Sequence, residues 1–213
     1  MWFFVTKGGP VMIPIIAGSI LGLTIIIERY WVLRKVRINT KLFVQMIIAN
    51  LEKNRIQAAL ELCEKNSRHP IAAVCKVALE KRNLPLDRIE KIMEQEGNNQ
   101  IQILEKRLGG LASIIGIEPL LGFLGTIVGL IKAFMSWESA GANVTVNALA
   151  GGIYQAMITT AAGLIIAIPF YLCYNYFVSH IKYIASDVTN DAVKLTEALQ
   201  ILQDNARRKP ETI

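Results

Sequence analysis

The chain alternates between long stretches almost without charge and segments in which apolar residues recur every three or four positions. Residues 8–27 carry no charge between Lys7 and Glu28. Residues 108–137 are interrupted only by Glu118 and Lys132, and residues 139–181 carry no formal charge at all. A helix needs about 20 apolar residues to cross a bilayer, so the first and third stretches suffice outright. The second suffices when Lys132 snorkels to an interface. Glu28-Arg29-Tyr30-Trp31 follows the first stretch, and then Arg34, Lys35 and Arg37. That flank is a stop-transfer signal with an aromatic belt, whereas a cleaved signal peptide ends on small residues. The pattern predicts an all-α membrane protein with transmembrane helices over 11–31, 110–137 and 148–178.

Between the first two spans, segment 32–109 reads as helical throughout. Asn54 and Ser67 are candidate caps, and His69-Pro70 ends one helix and begins another. Leu60, Cys63, Ile71, Val74, Cys75, Ala78 and Leu79 keep helical spacing. Asn83-Leu84-Pro85-Leu86-Asp87 is the last strong breaker before Pro119. Ile89, Ile92, Met93, Glu96, Ile101, Leu104, Leu108 and Leu111 then form a stripe, which predicts one continuous helix entering the second span. The third uncharged stretch is longer than one bilayer crossing, so its last turns should project inward. The tail from Lys182 reads as a solvated amphipathic helix that frays by Arg207-Arg208-Lys209-Pro210.

Composition supports the membrane reading. Charged residues are 19% of the chain against about a quarter in soluble domains, and mean hydropathy is +0.38. The net charge of +6 is distributed unevenly: segment 32–109 holds 15 of the 23 Lys and Arg residues, and the tail after 181 holds five. The 138–147 connection holds none. By the positive-inside rule, 32–109 is a cytoplasmic helical domain and 179–213 a cytoplasmic C-terminal helix. The 1–10 terminus and the 138–147 loop are then periplasmic. Basicity is therefore a topology signal rather than a mark of nucleic-acid binding. Cys63, Cys75 and Cys173 have neither metal spacing nor a disulfide pattern. No nucleophile–base pair, phosphate loop or metal cluster occurs, and His69 and His180 lie far apart. No enzyme, cofactor or metal is expected on these grounds.

Small residues mark the second and third spans. Gly122, Gly125, Thr126, Gly129 and Ala133 recur at steps of three and four, as do Ala156, Thr160, Gly163 and Ala167. Such faces allow close helix association in lipid, either between subunits or inside one. Thr126, Thr159 and Thr160 fall near the middle of their spans by residue count. Their hydroxyls could ring an oligomeric pore, or bond back to their own helix carbonyls. No Asp, Glu or His lies at mid-depth by that count. Glu118 is the nearest, roughly 12 Å from Thr126 along the helix and toward the cytoplasmic interface. A proton path needs a titratable group in the membrane, so either the chain conducts nothing or a partner brings the carboxylate.

The strings Pro119-Leu-Leu-Gly-Phe-Leu-Gly-Thr-Ile-Val-Gly-Leu-Ile131 and Ala156-Met-Ile-Thr-Thr-Ala-Ala-Gly-Leu-Ile-Ile-Ala-Ile-Pro169, with Tyr174-Asn175, resemble the MotA/TolQ/ExbB proton channel family. The Gly8-Gly9-Pro10-Val-Met opening and the Ile27-Glu28-Arg29 exit resemble its ExbB/TolQ branch. The resemblance implies a homopentamer in a bacterial inner membrane, with the second and third spans lining a central pore. It also implies two ExbD/TolR-like single-span partners inside that pore. A partner aspartate would face Thr126 and Thr160, and a TonB- or TolA-like protein would carry the work onward. Gly122, Gly125, Gly129, Gly163, Pro119 and Pro169 are the helix-packing positions of this reading, and Thr126, Thr160, Thr159, Gln155 and Glu118 its pore-lining candidates. Two positions depart from the family pattern. Gln155 stands where many members have Glu, and Glu118 where many have Ala. Glu118 is a candidate replacement charge at the inner mouth of the pore. A flagellar-type stator fits less well, having four spans and a larger charged domain. A non-conducting scaffold remains open, as does Na⁺ in place of H⁺, although hydroxyls without extra polar ligands favour H⁺.

Overall fold

A computed structural model describes residues 7–36, 39–140 and 146–208. The outer ends of both expected termini and residues 141–145 of the 138–147 connection lie outside these residues. The regular elements are α1 (Met12–Lys35), α2 (Thr40–Glu52), α3 (Ile56–Lys65), α4 (Pro70–Glu80), α5 (Leu86–Glu105), α6 (Leu108–Ala140) and α7 (Val146–Arg208). No strand occurs among the described residues. Contacts divide the chain into a unit built from residues up to 29 with 107–176, and a unit built from 30–106 with residues from 177 onward.

Helices α1, α6 and α7 contain stretches long and apolar enough to cross a membrane. In each, only 22% of the most apolar stretch is buried within the chain. Ile20, Leu21, Leu120, Phe123, Phe134, Ile165 and Leu172 all lie exposed on these helices. Apolar surface of that extent calls for lipid or neighbouring subunits. The chain is a multi-pass helical membrane protein. Helix α7 has 63 residues, which at 1.5 Å per residue is about 94 Å, far beyond a hydrocarbon core of about 30 Å. The expected extension of the third helix beyond one crossing is thus present as unbroken helix.

The expected continuous helix through residue 107 is corrected. Lys106 has φ −49° and ψ 135°, and Arg107 has φ +69°, so α5 ends and α6 begins anew. Neither residue is Gly or Pro, which is why no breaker is visible in the sequence. Arg107 forms an ion pair with Glu28, and the Arg107 carbonyl accepts the Leu111 N–H at 3.1 Å to open α6. Pro119 and Pro169 sit within α6 and α7 without ending them. Each removes one backbone donor and leaves a carbonyl one turn earlier without its helical partner.

The second unit has a conventional packed core. Phe43, Ile47, Leu51, Ala59, Cys63, Ile71, Cys75, Leu79 and Ile89 are buried together with Val188, Leu195 and Leu199 of α7. The Asn39 side chain accepts the Leu42 N–H at 3.2 Å and caps α2. Asn54, with φ +55°, follows the end of α2 in the left-handed conformation that Asn tolerates there. His69 precedes α4, whose first residue is Pro70, as the sequence predicts. Its ring donates from Nδ1 to the Val36 carbonyl at 2.9 Å. Gln203 donates to the Arg82 and Leu84 carbonyls at 2.8 and 3.0 Å, fastening the end of α7 to the α4–α5 turn. Burial pushes the Cys63 thiol up to about 11, and the Cys75 thiol is raised further for the same reason. Both behave as small buried apolar groups.

Candidate functional site

Helices α6 and α7 meet backbone to backbone. A methyl added at Gly129 would lie 2.6 Å from the Gly152 carbonyl oxygen and 2.8 Å from the Ala156 nitrogen. One added at Gly122 would lie 3.0 Å from the Thr159 carbonyl, and one at Gly163 2.5 Å from the Glu118 carbonyl. A side chain at Gly125 would collide with that of Thr159. The small residues of the two spans are therefore used on each other inside one chain, the second of the two uses the sequence allows. Two first-span glycines that the sequence reading passed over belong to the same design. Gly18 makes room for the Glu118 carboxyl, and Gly22 for the ring of Phe170. Their spacing of four was the available signal.

The three threonines go to different places. Thr159 is fully buried, and its hydroxyl bonds back to the Gln155 and Ala156 carbonyls at 3.1 and 3.0 Å. It packs the α6–α7 seam and presents nothing outward. Thr126, partly exposed, donates to the Phe123 carbonyl of its own helix at 2.6 Å. Thr160, also partly exposed, donates across the seam to the Gly122 carbonyl at 3.2 Å. That carbonyl belongs to the helix one turn from Thr126, so Thr126 and Thr160 flank the same stretch of seam.

Charged and amide groups mark the two ends of the membrane unit. At one end Glu28 pairs with Arg29 at 2.8 Å and with Arg107. At the other, Lys132 donates to the Gln155 Oε1 at 3.0 Å. Gln155 is buried, Gly9 closes over its amide, and its Nε2 has no hydrogen-bond partner among the described residues. Gly9 has φ +73°, so both its backbone and the space above Gln155 require glycine. Thr126 stands six residues, about 9 Å, from Lys132. Along α6 it is thus nearer to Lys132 than to the Arg107–Glu28 pair.

Glu118 lies inside the bundle. Its carboxyl lies against Gly18, close to the midpoint of the uncharged 8–27 stretch. The layer of charges that marks the nearer end is Arg107 with Glu28, eleven residues or about 16 Å away along α6. Residue counting in the sequence puts Glu118 toward the cytoplasmic interface. Glu118 is 1% exposed and turned toward α1, so its side chain sits inside the three-helix bundle. The α6 acid is therefore enclosed by its own bundle rather than presented on its outer surface.

The motif-bearing helices, the small-residue seam and the threonine placement form one pattern, and a comparison with known sequences identifies it. The profile described as the MotA/TolQ/ExbB proton channel family matches residues 66–190. The chain belongs to this family. The matched region contains Glu118, Thr126, Gln155, Thr159 and Thr160. An ExbB-like biopolymer transport protein of Synechocystis is 31% identical over 175 residues, 81% of this chain and 68% of the relative. The Tol-Pal system protein TolQ of Haemophilus influenzae is 35% identical over 102 residues, 48% of this chain and 44% of its own. The biopolymer transport protein ExbB of Neisseria gonorrhoeae is 34% identical over 108 residues, 49% of this chain and 48% of its own. These relatives place the chain on the ExbB/TolQ-like branch of the MotA/TolQ/ExbB family.

Proposed function

We propose that the chain is the channel-forming subunit of a proton-driven motor in a bacterial inner membrane, energising a TonB- or TolA-like partner that spans the periplasm. It acts as a homopentamer in which α6 and α7 line a pore around two ExbD/TolR-like spans. Relatives named for biopolymer transport and for the Tol-Pal system support this reading. The observation that carries it is the partly exposed Thr126–Thr160 pair on a seam whose crossing segments present no Asp, Glu or His side chain outward among the described residues. A hydroxyl pair of this kind can receive a carboxyl from a partner but cannot itself hold and release a proton. The distribution of Lys and Arg supports an N-terminus and a 138–147 loop in the periplasm, and a cytoplasmic second unit. Gln155 cannot titrate and is held by Lys132, so the proton-accepting role falls to the partner.

The test uses the complex isolated from its native membranes through a tag on this chain. Native mass spectrometry should give five copies with two copies of a single-span protein. Thr160→Val should assemble normally and lose proton flux in vesicles, whereas Thr160→Ser should retain it. Full flux in Thr160→Val would remove the hydroxyl from the path, and a wild-type complex without flux would leave the scaffold reading.

A further inference from the structure

The buried acid of α6 has no part in the reading above, which assigns the titrating carboxyl to a partner. Glu118 is 1% exposed, and its Oε2 is buried without a hydrogen-bond partner among the described residues. Its Oε1 occupies the space that a side chain at residue 18 would fill. The burial is complete within one chain, so neither a neighbouring subunit nor lipid is needed to produce it.

No countercharge is in reach. On α6 the flanking charges are Arg107, about 16 Å away along the axis, and Lys132, about 21 Å away. On α1, which covers the carboxyl, Lys7 and Glu28 bound the uncharged stretch, with Arg29 next, and Gly18 lies near its middle. On α7, packed against the Glu118 backbone at Gly163, no formal charge occurs from the start of the helix to Lys182. An ionised carboxylate here would be an unpaired charge in an apolar interior, a costly arrangement that proteins avoid by neutralising the group. A neutral acid fits, and the glycine opposite gives it space. Pro119 leaves the Ile115 carbonyl on the preceding turn without its helical donor, so the segment also offers an acceptor for an acid proton.

We propose that Glu118 is a proton-binding site within this subunit, distinct from the partner's carboxyl: it holds a proton while α1 is closed on α6. It releases the proton when α1 moves off and water reaches it. As part of the motor's working path, this site rests on the channel-subunit reading; as a protonated buried acid it stands alone.

Two measurements separate these. Dicyclohexylcarbodiimide modifies a carboxyl in its protonated form, and an ordinary glutamate is protonated at pH 7 only about once in 500. The purified full chain in detergent should be modified at residue 118 at pH 7, at least tenfold faster than at Glu28, and Glu118→Gln should lose the modification. Labelling of residue 118 only below about pH 5 would show an ordinary ionised carboxylate and overturn the proposal. The second measurement is proton flux in vesicles holding the native complex, with assembly checked by native mass spectrometry. Glu118→Gln should assemble and conduct at least tenfold less. Equal flux in Glu118→Gln and wild type removes Glu118 from the path and leaves the channel reading standing. Absence of flux in the wild type overturns the channel reading itself, whatever the labelling shows.

Discussion

Gly129 and Gly116 both sit in α6, yet their surroundings differ completely. A methyl at Gly129 meets the Gly152 carbonyl oxygen at 2.6 Å and the Ala156 nitrogen at 2.8 Å, both backbone atoms that cannot rotate away. A methyl at Gly116 meets nothing within 4 Å. Gly129→Ala must therefore push α6 and α7 apart, at a cost of about 1–3 kcal/mol as in other overpacked interiors. Gly116→Ala loses no contact and gains helix propensity worth up to about 1 kcal/mol. Thermal unfolding in detergent should show a lowered midpoint for the first and an unchanged or raised one for the second. The same reasoning ranks the threonines. Thr160 makes an interhelical hydrogen bond, of a kind worth on average about 0.6 kcal/mol in membrane interiors. Thr126 bonds only to its own helix, so its removal should leave packing unchanged.

The start of α6 shows what element-level reading of sequence can and cannot do. The three apolar helices, the helical character of segment 32–109 and the long tail of α7 were all legible, because each rests on a pattern repeated over many residues. The break at Lys106-Arg107 was not, because it rests on one backbone conformation at a residue type that rarely adopts it. The contact of Glu118 with Gly18 was not legible either, since it joins residues a hundred positions apart. Glycines at 18 and 22 were visible in the sequence, but their partners lie on helices distant along the chain. The break also yields a prediction. Left-handed backbone at a non-glycine residue costs roughly 1–2 kcal/mol, and Arg107 recovers part of that by pairing with Glu28. The pair is partly exposed, so it contributes no more than about 1 kcal/mol. Arg107→Ala keeps the strain and loses the pair, while Arg107→Gly loses the pair and relieves the strain. Alanine should thus be the more destabilising of the two in urea or thermal unfolding of the detergent-solubilised chain. The reverse order would show that the left-handed backbone at residue 107 is not a source of strain at the α5–α6 boundary.

On the scale of the whole molecule, the arrangement of polar groups decides what the chain can do alone. A proton crossing a helical bundle needs a titratable group that water or a carrier can reach from each side. Leu120, Phe123, Ile127, Phe134, Ile153, Met157, Ile165 and Ile168 cover the outward surfaces of α6 and α7. The hydroxyls of Thr126 and Thr160 bond to carbonyls. The one acid buried in the bundle among the described residues, Glu118, is enclosed by its own helices. Gln155 and Lys132 lie at one end and satisfy each other in part. Nothing in this set forms a continuous path from face to face. Vesicles containing the purified chain by itself should therefore be no more permeable to protons than empty vesicles, at any inside–outside pH difference that leaves the bilayer intact. Vesicles containing the native complex should acidify or alkalinise measurably faster, as followed with an internal pH dye. Conduction by the isolated chain would mean that α1 opens over Glu118 without a partner, and that the proton carrier and its housing reside in one polypeptide. Conduction by the complex alone assigns the housing to this chain and makes the movement of α1 over Glu118 a step controlled from within the pore.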